Sequence, residues 1–213
     1  MGSRVSYFLR MSYFLPGLWH LAAAMAFAVA FGVWQGASPL HFLISPAFSL
    51  ALVVSSSAFF WVPDRWAKKG ALKFLHYPLP DWDVLLLGPA SHRNWLSHSA
   101  LLPLLLLGAL WKWPTLAQPL YFQAALGICV GVGSHLFWDC VGSKRHSIVV
   151  VPYWWTLREA PSRLYLLGGA ALSLCVGGAL CGGMSAGVAS HGQLPLVWWQ
   201  TASSFARHAA KGL

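Results

Sequence analysis

Five apolar stretches, at about 18–34, 42–62, 95–111, 119–141 and 164–188, constrain this chain more than any other feature. Each has the ~17–25 residues that a helix needs to cross the hydrocarbon core of a bilayer. A chain of 213 residues that is 57% hydrophobic and only 9% charged, with a mean hydropathy of +0.59, is too apolar for an ordinary soluble domain. The expected fold is therefore all-α: a polytopic transmembrane helix bundle of about five spans, forming a single domain over residues 1–213. Thirteen Trp fit this picture, because indoles gather at the membrane interface. Arg4 and Arg10 precede the first apolar run, which ends in no small-residue cleavage site and reads as a retained helix.

The connections carry the polar residues. Tight turns at 35–39 and 112–118 join the first span to the second and the third to the fourth, whereas residues 63–94 and 142–163 form longer polar links. The tail from Gln193, with Trp198, Trp199, Arg207 and Lys211, reads as an interfacial helix. With the N-terminus in the cytoplasm, the inner segments hold Arg4, Arg10, Arg65, Lys68, Lys69, Lys73, Arg93, Lys144, Arg145, Arg158 and Arg163. The outer segments hold only Lys112, Arg207 and Lys211. Such a bias places both long connections in the cytoplasm, and five spans leave the C-terminus outside. The net charge of +9 then reports topology and contact with anionic headgroups. The expected partner is the lipid bilayer, with room for other membrane protein subunits, and not a nucleic acid. Cys129, Cys140, Cys175 and Cys181 form no CxxC pair and read as small buried hydrophobes.

Against this background the acidic residues stand out. Three of the five, Asp81, Asp83 and Asp139, lie beside histidines in two short motifs: PDWDVLLLGPASHRNWLSHS from Pro80 to Ser99, and HLFWD from His135 to Asp139. An unpaired Asp within a span costs ~2.5–3.5 kcal/mol on insertion scales, so it implies a partner. The i, i+4 spacing of His135 and Asp139 puts both on one helical face. The third span starts, and the fourth ends, at the cytoplasmic face, so His98 should meet His135 and Asp139 at one depth. His92 lies just before that span, and Asp81 and Asp83 adjoin it in the loop. Three carboxylates with only Arg93 as a nearby cation call for a divalent ion, and neutral imidazoles are its usual nitrogen ligands. The candidate ligands are Asp81, Asp83, His92, His98, His135 and Asp139. Mixed His and Asp ligation suits Zn, Mn or Fe, and six candidates allow either two ions or one ion with some residues orienting the rest. His20 and His41 have no acidic neighbour and read as packing or interfacial residues.

The order PDWD, HRNWLSHS, HLFWD resembles the YdjM-type family, LexA-regulated inner-membrane metal-dependent hydrolases. That family's signature is a PDxD segment, an HRxxTHS segment and a later HxxxD on a helix. The resemblance covers about residues 79–152, a third of the chain. Ser97 stands where the family usually has Thr, and Trp95 where smaller residues are common, and neither departure alters a ligand type. The resemblance implies a metal site and a multi-pass location in the bacterial inner membrane.

Two functions follow as expectations. In one, the ion activates water for hydrolysis at the cytoplasmic face of the membrane, on a phosphoester or lipid-like ester. Asp81 or Asp83 would serve as general base, and Arg93 would grip a phosphate or carboxylate. In the other, the chain is a non-catalytic accessory or assembly subunit of a larger membrane complex, with a structural or relic metal site. No P-loop, dinucleotide fingerprint or Ser-His-Asp order competes with either.

Overall fold

The structure, a computed structural model, describes residues 2–34, 38, 40, 42–58, 72–113, 118–142, 147–152 and 154–185. Within these it is mostly helical. The long helices are α1 (Gly2–Trp34), α6 (Pro119–Gly142) and α7 (Glu159–Ser185). Shorter ones are α2 (Pro46–Ser56), α3 (Leu72–His76), α4 (Trp82–Leu87) and α5 (Leu101–Lys112). Single 3₁₀ turns at Leu79–Asp81 and Pro89–Ser91 bracket α4.

Among the described residues, three helices are long and apolar enough to cross a membrane: Gly17–Trp34 within α1, all of α6, and Glu159–Cys181 within α7. They mark the chain as a membrane protein. The second and third apolar stretches differ from the expected full spans. Among the described residues of the stretch at 42–62, which end at Ala58, α2 covers 46–56, and α5 begins at Leu101 instead of near 95. At ~1.5 Å per residue neither helix reaches the ~30 Å of a hydrocarbon core by itself. Local chemistry explains the shortening. Ser45 caps α2, its Oγ accepting from the Phe48 N–H with Pro46 in the first turn, while Ala58 at φ 56° ends the segment. Residues 94–98 wind into turns about Asn94, whose carbonyl accepts from the His98 N–H and whose side-chain oxygen accepts from the Leu96 N–H.

A second departure from an all-helical chain is the two-stranded antiparallel sheet β1 (Val149–Val151) and β2 (Trp155–Thr156). It braces the loop before α5: the Val149 N–H donates to the Arg93 carbonyl at 2.9 Å, and the Trp95 N–H to the Val149 carbonyl at 3.0 Å. The sequence-predicted turns at 35–39 and 112–118, the basic stretches at 63–71 and 143–146, and the interfacial tail lie largely or wholly outside the described residues. Of the cysteines, Cys129, Cys140 and Cys181 are buried as expected, but Cys175 is exposed on α7.

α6 is the core helix, with α1, α2 and α7 laid against it. Its buried face combines Phe122, Leu126, Val130, Val132 and Leu136 with glycines. Gly127 and Gly131, one turn apart, face α2. A Cβ on Gly131 would overlap the Ser55 side chain and stand 2.9 Å from the Leu52 carbonyl oxygen; one on Gly127 would overlap the Phe48 carbonyl. Small residues thus let two backbones approach closely, as is usual where no water drives helices together. One further turn along the same face is His135.

Replacing Gly131 by Ala should therefore force α2 off α6, at ~1–3 kcal/mol as for other overpacked sites. Gly108→Ala on α5, where a Cβ meets nothing within 4 Å, should be neutral or stabilising by up to ~1 kcal/mol. Thermal unfolding in detergent checks the pair; equal melting temperatures for the two variants would contradict the close approach.

Candidate metal centre

The last turns of α2 and α6 assemble the floor of the site. With α2 drawn against Gly127 and Gly131, the Ser56 carbonyl at the helix C-terminus, which has no intrahelical partner there, accepts from His135 Nδ1–H at 2.8 Å. This bond fixes the tautomer. The His135 Nε2 lone pair faces inward, buried and with no hydrogen bond.

His98 is held the same way from the other side. It lies in the turns ahead of α5, not in the helix, and is fully buried. Ser97 Oγ donates to Asp83 Oδ2 at 2.7 Å, and with that proton so placed it accepts from His98 Nδ1–H at 3.1 Å. The Asn94 N–H donates to the same Asp83 oxygen at 2.8 Å. Asp83 thus orients His98 through Ser97. His98 Nε2, like that of His135, is buried and without a hydrogen bond.

Two carboxylates meet these two nitrogens. Asp81, at the end of its 3₁₀ turn, brings Oδ1 to 3.2 Å from His98 Nε2 and 3.9 Å from His135 Nε2. Asp139, one turn beyond His135, brings Oδ2 to 3.6 Å and 3.7 Å from the same two atoms. A tetrahedron of ligands with bonds of ~2.0–2.1 Å to a central ion has edges of ~3.3 Å. Four of the spacings among these atoms, 3.2, 3.6, 3.7 and 3.9 Å, lie close to that edge. Asp81, His98 and His135 have ligand atoms within 4.8 Å of one another, and so do His20, His135 and Asp139. The donor set, the orphaned lone pairs and the outer hydrogen bonds that orient both imidazoles all fit a divalent ion.

Three further residues complete the cluster. His92 lies at the mouth, with its side chain 47% exposed and Nδ1 3.5 Å from Asp81 Oδ1. Arg93 takes a left-handed backbone (φ 64°), uncommon for a residue with a Cβ and typical of strained functional loops. Its Nη2 donates to Asp139 Oδ1 at 3.3 Å. The third is His20, which sequence reasoning assigned to packing. Its ring stacks on His135 with centroids 4.4 Å apart, and its Nε2 lies 3.7 Å from Asp139 Oδ1. Trp19 stacks on Trp138 beside it. The missed signal was depth: His20 lies near the start of its span, and the fourth span ends at the same face. All six sequence-predicted ligands fall in this one cluster, with ligand atoms in groups within 4.8 Å of one another. His41 lies outside the described residues.

Electrostatics outside the spans set the charge of the cluster. Burial would lower His98, but Asp81, Asp83 and Asp139 push it up to about 9, so an ion that takes its Nε2 must displace a proton. Burial alone would raise the Asp81 carboxyl, but His98, His135 and His92 around it outweigh that and hold it well below the usual carboxylate range. Burial would raise Asp83 too, yet His98, Ser97 and the Asn94 N–H keep it low. Burial, only partly opposed by Asp81, lowers His92, so its imidazole is neutral at pH 7. Both carboxylates are ionised and His92 keeps a free lone pair.

Comparison of the chain with family models, curated proteins and solved structures finds no match.

His135→Ala and Asp139→Ala should each strip most of the bound metal from the purified protein, since losing a ligand or its orienting partner weakens binding at least ~10-fold. His20→Ala should weaken binding too, while His191→Ala leaves the metal content unchanged. Elemental analysis decides; full occupancy in either the His135 or the Asp139 variant would refute the assignment.

Proposed function

We propose that this protein is a metal-dependent hydrolase of the membrane interface, acting on a phosphoester with a lipid-like body. The observation that supports it is the convergence of Asp81, His98 and His135 donor atoms, with Asp139 beside both imidazoles and one open edge. His98 and His135 are closed off, whereas the Asp81 side chain is 18% exposed and adjoins the exposed His92. Water and substrate can approach from that side.

A divalent ion in this site, of which Zn, Mn and Fe suit the His and Asp donors, supplies a bound water of lowered pKa and polarises a phosphoryl oxygen. The chain's residues do the rest. His98 and His135 present their lone pairs in tautomers set by Ser97 and Ser56. Arg93 steadies Asp139 and, set in the mouth loop, stands near enough for an incoming anion to share its guanidinium. Asp81, the carboxylate at the open edge, is the proton acceptor for water in a one-ion centre. The finer topology belongs to the same reading: about five crossings, an N-terminus and metal site at the cytoplasmic face, and a bacterial inner membrane as the YdjM-type resemblance implies. The apolar span of α1 starts near His20, which meets Asp139 at the end of α6, and Cys140 beside it meets the Arg163 carbonyl in the first turns of α7, which supports a single-faced site.

A second reading has one observation in its favour. Asp139 Oδ2 lies 3.6 and 3.7 Å from the His98 and His135 Nε2 atoms, and as a fourth protein ligand it would close a tetrahedral ion, as in structural sites. A protein of this kind would be an accessory subunit whose ion clamps α6 to the loop before α5.

Activity against a panel of phosphoester lipids separates the two. A hydrolase should lose turnover on chelation, regain it with Mn, Zn or Fe, and speed up as pH rises through ~7 while the water ionises. Protein shown to hold its metal and inert on every member of the panel would move the assignment to the accessory subunit.

A further inference from the structure

The charge at the centre balances with one ion and is left uneven by a second, and this imbalance identifies what the mouth of the site accepts. Asp81, Asp83 and Asp139 bring three negative charges, while one divalent ion and Arg93 bring three positive ones. The inner position is therefore neutral. Yet a second group of donors, Asp81, Asp83 and His92, also has its ligand atoms within 4.8 Å of one another, on the exposed side. Its carboxylates are not satisfied. Asp83 Oδ2 takes the Asn94 and Ser97 donors, but Oδ1 is buried with no hydrogen-bond partner, on a side chain only 2% exposed. Asp81 Oδ1 is likewise buried and unpartnered. Unpaired anionic oxygens out of water are costly, so such atoms mark a place for a cation.

We infer that the mouth of the site is a second divalent-cation position, formed by Asp81, Asp83 and His92 and filled together with a phosphate dianion. The inference rests on the metal-centre reading of the inner site. Asp81 belongs to both groups and is the carboxylate that two ions share, the arrangement of centres with ions ~3.5–4 Å apart. A mouth ion would lower the pKa of a bound water, whose proton would leave to solvent at the exposed edge, and Asp81 would then serve as the bridge between the ions and not as the base. Its two extra positive charges have no protein counterpart in the cluster. A phosphate monoester supplies two negative charges; a phosphodiester supplies one. The centre thus favours a terminal phosphate, carried by a lipid headgroup or a free phosphate compound. His92 is the specific handle on this position, since it touches Asp81 from the exposed side and is absent from the two inner groups that contain His135.

The test is Mn²⁺ titration of the full-length protein in detergent, followed by elemental analysis and electron paramagnetic resonance. It is run without additive, with inorganic phosphate, and with micelles containing phosphatidic acid. Wild type should bind two Mn²⁺ per chain, the second at least ~10-fold tighter when a phosphate source is present, with a spin-coupled spectrum. Tightening in both additive arms means that phosphate alone suffices; tightening with phosphatidic acid only means that the headgroup must arrive with its chains. His92→Ala should hold one ion and give an uncoupled spectrum. His92→Gln, which keeps the size of the side chain, should do the same. Saturation of wild type at one ion in every arm overturns the second position and leaves the inner site standing. A second ion indifferent to both additives, or retained in both His92 variants, also overturns it. Binding of no Mn²⁺ at all fails the metal-centre reading itself.

Discussion

Carboxylates enclosed by apolar helices must be neutralised where they lie, and Asp81 and Asp139 share two imidazoles for that purpose. The arrangement works only because both imidazoles are held by their outer nitrogens. Ser56 and Ser97 take those N–H groups, and the inner lone pairs are left with nothing but carboxylate oxygen opposite. The hold on His135 depends in turn on glycine. Without Gly127 and Gly131, α2 would stand off from α6 and the Ser56 carbonyl would not reach the ring. Helix packing, tautomer and ion affinity are links in one chain of cause.

Much of the site was legible because its residues are scarce. In a polypeptide with five acids, three beside histidines have few innocent explanations, and His135-x-x-x-Asp139 needs only the helical repeat to align. His20 was less legible, because its partners lie more than a hundred residues away and no acid neighbours it. Depth from the membrane face would have found it. The half-length helices escaped hydropathy for a different reason. Residues 42–62 and 95–111 are apolar throughout, and apolarity does not show that Ser55, Ser56 and Ser57 end one helix or that Asn94 winds the chain before the other. Nor could spacing tell ligand from orienter: Asp83 reads like Asp81, and only its bonds to Asn94 and Ser97 separate them.

The same geometry serves the ion-free protein. His98, whose pKa burial would lower but Asp81, Asp83 and Asp139 push up to about 9, carries a proton at pH 7 that offsets the carboxylates 3.2–3.6 Å away in place of a metal. Ion entry must then expel protons, so affinity falls in acid and coordination is coupled to the ionisation of the cluster. Arg93 is the exception. Its charge is permanent, and its contact with Asp139 persists in either state.

The clustered atoms come from widely separated stretches of chain: the middle of α1 at His20, the 3₁₀ turn at Asp81, the turns at His98 and the end of α6. No contiguous segment holds the inner set. During synthesis the site cannot exist until residue 139 has been made and α6 has entered the bilayer against α2. On the metal-centre reading, loading would follow the docking of α1, α2, the loop and α6, and a chain that had acquired its ion would already have brought them into register. Coordination would then act as a latch that closes on a correctly inserted protein.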